Sequence, residues 1–333
     1  MAKFAVMGAG SWGTAFALVL ADAGNEVRLW GRREIVCDAI NNDRENTEYL
    51  PGIVIPEAIS ASTDPAYVLD DREVVVLAVP SQQLRDNLGS WGSDIPKDAV
   101  LVSLMKGIEL GTHKRMSEVI AELTGAGPER IAVVTGPNLA REIANREPAA
   151  SVVACEDMGV AENLQKLMHS PAFRPYTNGD VIGCELAGTT KNIIGLAVGV
   201  CVGLGFGDNT KASVITRGLA ETARLGIAMG ADPMTFSGLA GMGDLVATCG
   251  SPLSRNRSFG EKLGRGMSID EVMGQTRQVA EGVKSCQSVA ELALMHGIDM
   301  PIVTHVTALI DGSMSPRDMV SSLITRQAKA ELD

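Results

Sequence analysis

Lys3-Phe-Ala-Val-Met-Gly8-Ala-Gly10-Ser-Trp-Gly13-Thr-Ala-Phe-Ala-Leu-Val-Leu20 reads as a strand, a tight glycine turn and a helix in immediate succession. The three glycines follow the order G-x-G-x-x-G. Gly8 lets the chain turn sharply, Gly10 lets a diphosphate approach the backbone, and Gly13 lets the helix pack closely on the strand. The N–H groups at the helix start would then face the phosphates. A glycine-rich turn with no ligand can carry the same letters, so context decides. Here an apolar strand precedes the turn, an Ala/Leu/Val-rich helix follows it, and a second apolar run, Glu26-Val-Arg-Leu-Trp30, comes next. That order is one βαβ unit and favours a dinucleotide.

The residues after the second strand bear on which dinucleotide. An acidic residue there would hydrogen-bond the ribose 2′-hydroxyl of NAD. This chain has Gly31-Arg32-Arg33 instead, and two guanidinium groups suit the 2′-phosphate of NADP. Glu34 follows directly and counts the other way, as does the plain alternative of two solvated arginines opening a surface helix. NADP is the preferred cofactor, with NAD possible.

Working outward, residues 41–64 read as an irregular stretch with at most a short strand, punctuated by Pro51, Gly52 and Pro56 and carrying no usable motif. Buried strands are expected over 73–79, 99–104 and 130–135, and one more over 149–155 with a helix over 161–169. Continuous apolar runs separated by helical segments describe a mainly parallel, doubly wound sheet covered on both faces. Ligands of such sheets lie at the carboxyl ends of the strands. That rule selects Pro80, Lys106-Gly107 and Gly136-Pro137-Asn138. Lys106 stands in an apolar neighbourhood and needs a partner, either a phosphate or substrate oxygen or a structural ion pair. Asn138 can cap the helix that follows or touch a ligand.

Length and composition set bounds on the rest. A chain of 333 residues is more than one core usually serves. The expected division is an α/β domain over 1–178 and an all-helical domain over 179–333. A formal net charge of −11 argues against a nucleic-acid or anionic-membrane surface. Six cysteines lie far apart with no metal-ligand spacing, so reduced structural thiols and no metal are expected. Neither a leader nor a transmembrane-length segment is read from the sequence, and the expected location is cytoplasmic.

Two stretches of the second half carry chemistry. In 185–199, Lys191 interrupts a helix almost without polar residues and Asn192 follows it. In apolar surroundings the charged form of a lysine is disfavoured, and a neutral amine can act as a general base; the plain alternative is a lysine that snorkels to water. In 237–257, glycines 238, 241 and 243 precede Asp244, a lone carboxylate in an apolar run whose expected partner is Lys191. Ser254 caps a helix whose first turn holds Arg255, Asn256 and Arg257, a set that can converge on one phosphate.

Together the glycine turn with Ser11-Trp12, Leu104-Met-Lys106-Gly-Ile108, Thr135-Gly-Pro-Asn138, Thr190-Lys-Asn-Ile-Ile-Gly195, Gly241-Met-Gly-Asp244, Ser254-Arg-Asn256 and Ala280-Glu-Gly282 are similar to bacterial NAD(P)-dependent glycerol-3-phosphate dehydrogenases, in the family's order over nearly the whole chain. The resemblance implies reversible reduction of dihydroxyacetone phosphate to sn-glycerol 3-phosphate, feeding phospholipid synthesis. It also implies a Rossmann-type domain, a helical domain like that of 6-phosphogluconate dehydrogenase, and a homodimer without membrane insertion. By position it assigns Gly8, Gly10, Ser11, Trp12, Gly13, Arg32, Arg33, Lys106, Ala140, Arg255, Val279 and Glu281 to the nucleotide. It assigns Lys106, Gly136, Asn138, Lys191, Asp244, Ser254, Arg255 and Asn256 to the substrate, with Lys191 as proton acceptor supported by Asp244 and Lys106, while Asn192 and Thr248 match positions that eukaryotic relatives use around the reacting carbon. Asn138 departs from the serine of many bacterial members. Two rivals stay open: a related reductase of a non-phosphorylated 2-keto acid, and a nucleotide sensor without turnover.

Overall fold

The computed structural model describes residues 1–275, 280–325, 327 and 330. Eight strands make one sheet: β1 (Lys3–Met7), β2 (Glu26–Trp30), β3 (Ile59–Ser62), β4 (Val74–Leu77), β5 (Val100–Ser103), β6 (Ile131–Thr135), β7 (Ala149–Ala154) and β8 (Phe173–Asn178). Their order is β3-β2-β1-β4-β5-β6-β7-β8, and every pairing is parallel except β6 with β7. The doubly wound, mainly parallel reading holds. Alternate residues of one strand feed opposite cores, as the strand period of two requires. Phe4, Val6, Val74 and Val76 join one apolar cluster with Phe16 and Leu20. Ala5, Met7, Val75 and Leu77 join another with Leu88 and Trp91.

The order in which strands are added reverses at β1, with β2 and β3 on one side and β4 onward on the other, so the carboxyl ends of the parallel strands β1 and β4 sit side by side and leave a crevice above them. The strand over 73–79 is shorter than expected, because Ala78 and Val79 already turn toward the crevice. β8 escaped the sequence reading. Its Phe-Arg-Pro-Tyr-Thr-Asn alternates buried and exposed positions, but Pro175 at its centre argues against a strand unless it lies at a sheet edge, which is where β8 lies. Asn138 does not cap the helix Ala140–Ala144, whose N-cap is Leu139. The tight turn after β6 instead brings the Asn138 amide to Ser151 Oγ, 3.1 Å away.

From Val181 onward the described residues form helices and turns. The central one is Val181–Gly203, 23 residues, nearly all buried. It is long and apolar enough to cross a membrane, which corrects the expectation of no such segment; 83 % of its most apolar window is buried inside this protein, so its partners are other helices. Gly199 and Gly260 explain how close one of them comes. A Cβ on Gly199 would lie 2.0 Å from the Arg257 carbonyl oxygen, and one on Gly260 would lie 2.0 Å from that of Leu196. Only glycine permits that approach, and it presses the helix Arg255–Gly264 against the helix that carries Lys191. At the helix start, buried Glu185 accepts from Arg115 Nη1 at 2.7 Å, from the Ser117 amide at 2.8 Å and from Ser117 Oγ at 2.6 Å. This ties the helix to Met116–Thr124, the helix preceding β6.

Candidate active site

A cleft of about 610 Å³ opens at the carboxyl ends of β1 and β4 and runs to the helical half. Its walls include the glycine turn, Arg32 and Arg33, Lys106, Asn138 and Ala140, Lys191 and Asn192, Thr248, the Ser254–Asn256 segment and Glu281. Residues from both halves therefore meet in one cavity. Gly136 and Asp244 do not line it. Val279 lies outside the described residues.

The glycine turn meets the requirements of a dinucleotide. A Cβ on Gly8 would lie 2.5 Å from the Ala78 carbonyl oxygen and one on Gly13 would lie 1.9 Å from that of Gly8, whereas one on Gly10 would meet nothing within 4 Å. The turn is thus closed on its protein side and open at Gly10, where a diphosphate needs room. No side chain caps the helix Ser11–Asp22, so its first N–H groups are available to an anion. The indole Nε1 of Trp12 and Oδ1 of Asn138 are buried without a hydrogen-bond partner, and both residues line the cleft. These residues fit a bound nucleotide.

Deeper in the cleft, one buried carboxylate joins two lysines. Lys191 Nζ donates to Asp244 Oδ1 at 2.6 Å and to Thr248 Oγ1 at 2.6 Å. Lys106 Nζ donates to Asp244 Oδ2 at 2.5 Å and to the Gly136 carbonyl at 3.3 Å. Asp244 is only 1 % exposed and starts the helix Asp244–Gly250. The expected Lys191–Asp244 pair is present, and the partner of Lys106 is the same carboxylate. An ammonium has three N–H donors, so each lysine keeps one for a ligand. Two cations against one anion leave the cluster net positive in a chain of net charge −11, which suits an electron-rich oxygen. Burial pushes the Lys106 amine down to about 8, against the pull of Asp244.

Nearby, Ser254 Oγ accepts from the Arg257 amide at 3.3 Å and caps its helix. Arg255, in that first turn, is exposed to the cleft it lines, yet desolvation by the surrounding protein lowers its guanidinium pKa against the pull of Glu281. Burial pushes the Glu281 carboxyl up, while Ser81 Oγ donates to it at 2.7 Å. Asn256 lines the cleft and also has a structural part. Its Nδ2 donates to Asn192 Oδ1 at 2.9 Å and its Oδ1 accepts from the Gly282 amide at 3.0 Å, so it joins three helices and orients Asn192.

The description "NAD-dependent glycerol-3-phosphate dehydrogenase N-terminus" matches residues 3–161, and its C-terminal counterpart matches residues 180–321. Together they span most of the chain. The chain belongs to the NAD-dependent glycerol-3-phosphate dehydrogenase family. A glycerol-3-phosphate dehydrogenase [NAD(P)+] of Streptomyces coelicolor is 61% identical over 329 residues, covering 99% of this chain and 98% of that protein. One of the same description from Thermobifida fusca is 58% identical over 332 residues, covering 99% of each. The crystal structure of glycerol-3-phosphate dehydrogenase from Coxiella burnetii superposes with a TM-score of 0.93 at 37% identity, covering 98% of this chain and 99% of that one.

In this member of the glycerol-3-phosphate dehydrogenases, the stretch 41–64 is more than a connection. Tyr49 lines the cleft. Its carbonyl accepts from Ser11 Oγ at 2.7 Å and its ring lies 5.6 Å from the Arg33 guanidinium. Glu48 pairs with Arg33. Nothing local marked them; a tyrosine and an acid in an irregular stretch gain meaning only when that stretch folds back over the glycine turn. Ser81 was missed for the same reason, since its partner Glu281 lies 200 residues away.

Proposed function

We propose that the chain catalyses the reversible reduction of dihydroxyacetone phosphate to sn-glycerol 3-phosphate with NADPH or NADH. The observation that carries this reading is the Lys106–Asp244–Lys191 cluster facing the same cleft as the glycine turn. When bound, the nicotinamide cofactor supplies the hydride. Lys191 gives a proton to the C2 oxygen in reduction and takes it back in oxidation, using the N–H that Asp244 and Thr248 leave available. Lys106 uses its remaining N–H to stabilise charge growing on that oxygen. Asp244 holds both amines in place. Arg255 and the start of the Ser254-capped helix hold the substrate phosphate, Asn192 bonds a substrate oxygen, and Asn256 keeps Asn192 aimed. Gly136 supports Lys106 through its carbonyl, and Asn138 offers an unpaired oxygen to the ligand. Gly8, Gly10, Ser11, Trp12, Gly13, Ala140, Glu281 and the arginines after β2 bind the nucleotide, with Lys106 and Arg255 reaching it from the substrate side.

The same reading divides the chain into a nucleotide-binding domain over 1–178 and a substrate domain over 179–333. It makes the protein a cytoplasmic homodimer supplying glycerol 3-phosphate to phospholipid synthesis. Six free cysteines support a reducing compartment. NADPH and NADH oxidation measured with dihydroxyacetone phosphate, and with ketopantoate as control, tests the function. Turnover only with the phosphorylated ketone is expected; turnover with ketopantoate would transfer the chain to the 2-keto acid reductases. Lys191→Ala should lower kcat by about 10²- to 10⁴-fold while NADPH still quenches tryptophan fluorescence. Near-normal turnover would remove Lys191 from the proton step.

A further inference from the structure

The two arginines after β2 are not equivalent. Arg33 is already engaged: its Nη2 pairs with the Glu48 carboxylate and also donates to the Tyr49 hydroxyl at 3.3 Å. Ser11 of the glycine turn bonds the Tyr49 carbonyl, so the segment that brings Glu48 to Arg33 is anchored to the proposed nucleotide site itself. Arg32, Arg33 and Tyr49 all line the cleft. The side chains of Arg33 and Glu48 are 45% and 26% exposed. An ion pair in so wet a place is weak. A phosphate dianion, with three acceptor oxygens and the geometry for a two-pronged bond to a guanidinium, competes well against one carboxylate oxygen.

We infer that Glu48 is a cofactor-specificity residue: it holds on Arg33 the place that the 2′-phosphate of NADP takes, so that NAD binds with the Glu48–Arg33 pair intact and NADP binds by displacing it. The inference rests on reading Arg32 and Arg33 as the 2′-phosphate site. Physically, Glu48 neutralises Arg33 when the ribose carries only a hydroxyl, leaving no unpaired cation against the nucleotide. With a 2′-phosphate, the carboxylate must be released from Arg33, and its charge repels the incoming dianion. Glu48 therefore weakens NADP binding selectively, bringing the two cofactors closer in affinity than a pair of unopposed arginines would.

Equilibrium binding tests this without turnover. NADPH and NADH are titrated by tryptophan fluorescence, and 2′,5′-ADP and 5′-ADP by calorimetry, against the wild-type chain, E48Q, R33Q and the double variant. E48Q should tighten NADPH and 2′,5′-ADP by about three- to tenfold and leave NADH and 5′-ADP within about twofold. E48A, which removes the acceptor altogether, should shift the ratio in the same direction. In the R33Q background the competition for Arg33 is gone, so the gain from the Glu48 substitution should shrink to what relief of charge repulsion alone gives. If R33Q lowers the preference for the 2′-phosphate while E48Q and E48A leave it unchanged, or change all four ligands alike, the Glu48 inference is overturned and the arginine reading stands. If R33Q leaves the ratio of NADPH to NADH unchanged, the arginine reading fails and the inference falls with it.

Discussion

At the scale of single residues, the site depends on one carboxylate shared by two lysines. Asp244 is buried and would be costly to ionise alone, and each lysine would be costly to bury alone; together their charges are largely compensated. The surplus positive charge is what an alkoxide needs. Because burial pushes Lys106 down to about 8, its ammonium form is lost within an accessible range. In the direction of reduction, which requires the cation, kcat/KM should therefore fall as pH rises through about 8. Lys106→Arg, charged at every accessible pH, should move that limb upward, and pH profiles of the two proteins check it. A limb that stays in place belongs to another group.

At the scale of elements, the active geometry depends on how tightly two helices pack. Lys191 and Asn192 ride on Val181–Gly203, whereas Arg255 and Asn256 begin Arg255–Gly264. Gly199 and Gly260 remove the side chains that would hold these helices apart. Gly260→Ala would place a methyl group 2.0 Å from the Leu196 carbonyl, and backbone cannot yield as a flexible side chain does. The expected cost is about 1 to 3 kcal/mol, read by urea denaturation. Separating the helices also strains the Asn256–Asn192 bond, so KM for the phosphorylated substrate should rise even under conditions where the variant is fully folded. An alanine variant as stable and active as wild type would show that the helices have slack.

At the scale of the whole molecule, buried carboxylates join distant parts of the chain and give its stability a pH dependence. Glu185 links the central helix to the start of the helix Met116–Thr124. Glu221, on Asp208–Ala228, accepts from the Ile302 amide through both oxygens at 3.0 Å, at the start of the helix Pro301–Ile310. Burial pushes its carboxyl up to about 7. The folded state then holds a proton that the unfolded state releases near pH 4.5, so this contribution is complete below that value. It is lost as pH rises through about 7. Up to about 3 kcal/mol is at stake. Glu221→Gln should flatten that part of the stability profile, measured by denaturation at pH 5 and pH 8, and an unchanged slope would assign it to other groups.

How much of this was legible beforehand follows from distance along the chain. Gly8, Gly10 and Gly13 declare a strand, turn and helix because all three act within one local unit. The burial of β1 and β4 side chains on both faces was implicit in the apolar runs Phe4 to Met7 and Val74 to Leu77. Lys191 and Asp244 stood out because each is a lone charge in an apolar stretch, and burying either requires a partner. β8 did not stand out, since Pro175 is acceptable only at an edge and the edge is a property of the assembled sheet. That Lys106 shares Asp244 with Lys191, that Asn256 turns inward to aim Asn192, and that Glu48 and Tyr49 fold back onto Arg33 were likewise decided in three dimensions. The sequence by itself determined most of the strands and helices, β8 excepted, where the glycine turn opens and which charged groups must be paired. Only the tertiary structure decided who pairs with whom, because those contacts join residues tens to hundreds of positions apart, and the geometry of packing, rather than local preference, sets which of several chemically suitable partners comes within hydrogen-bond reach.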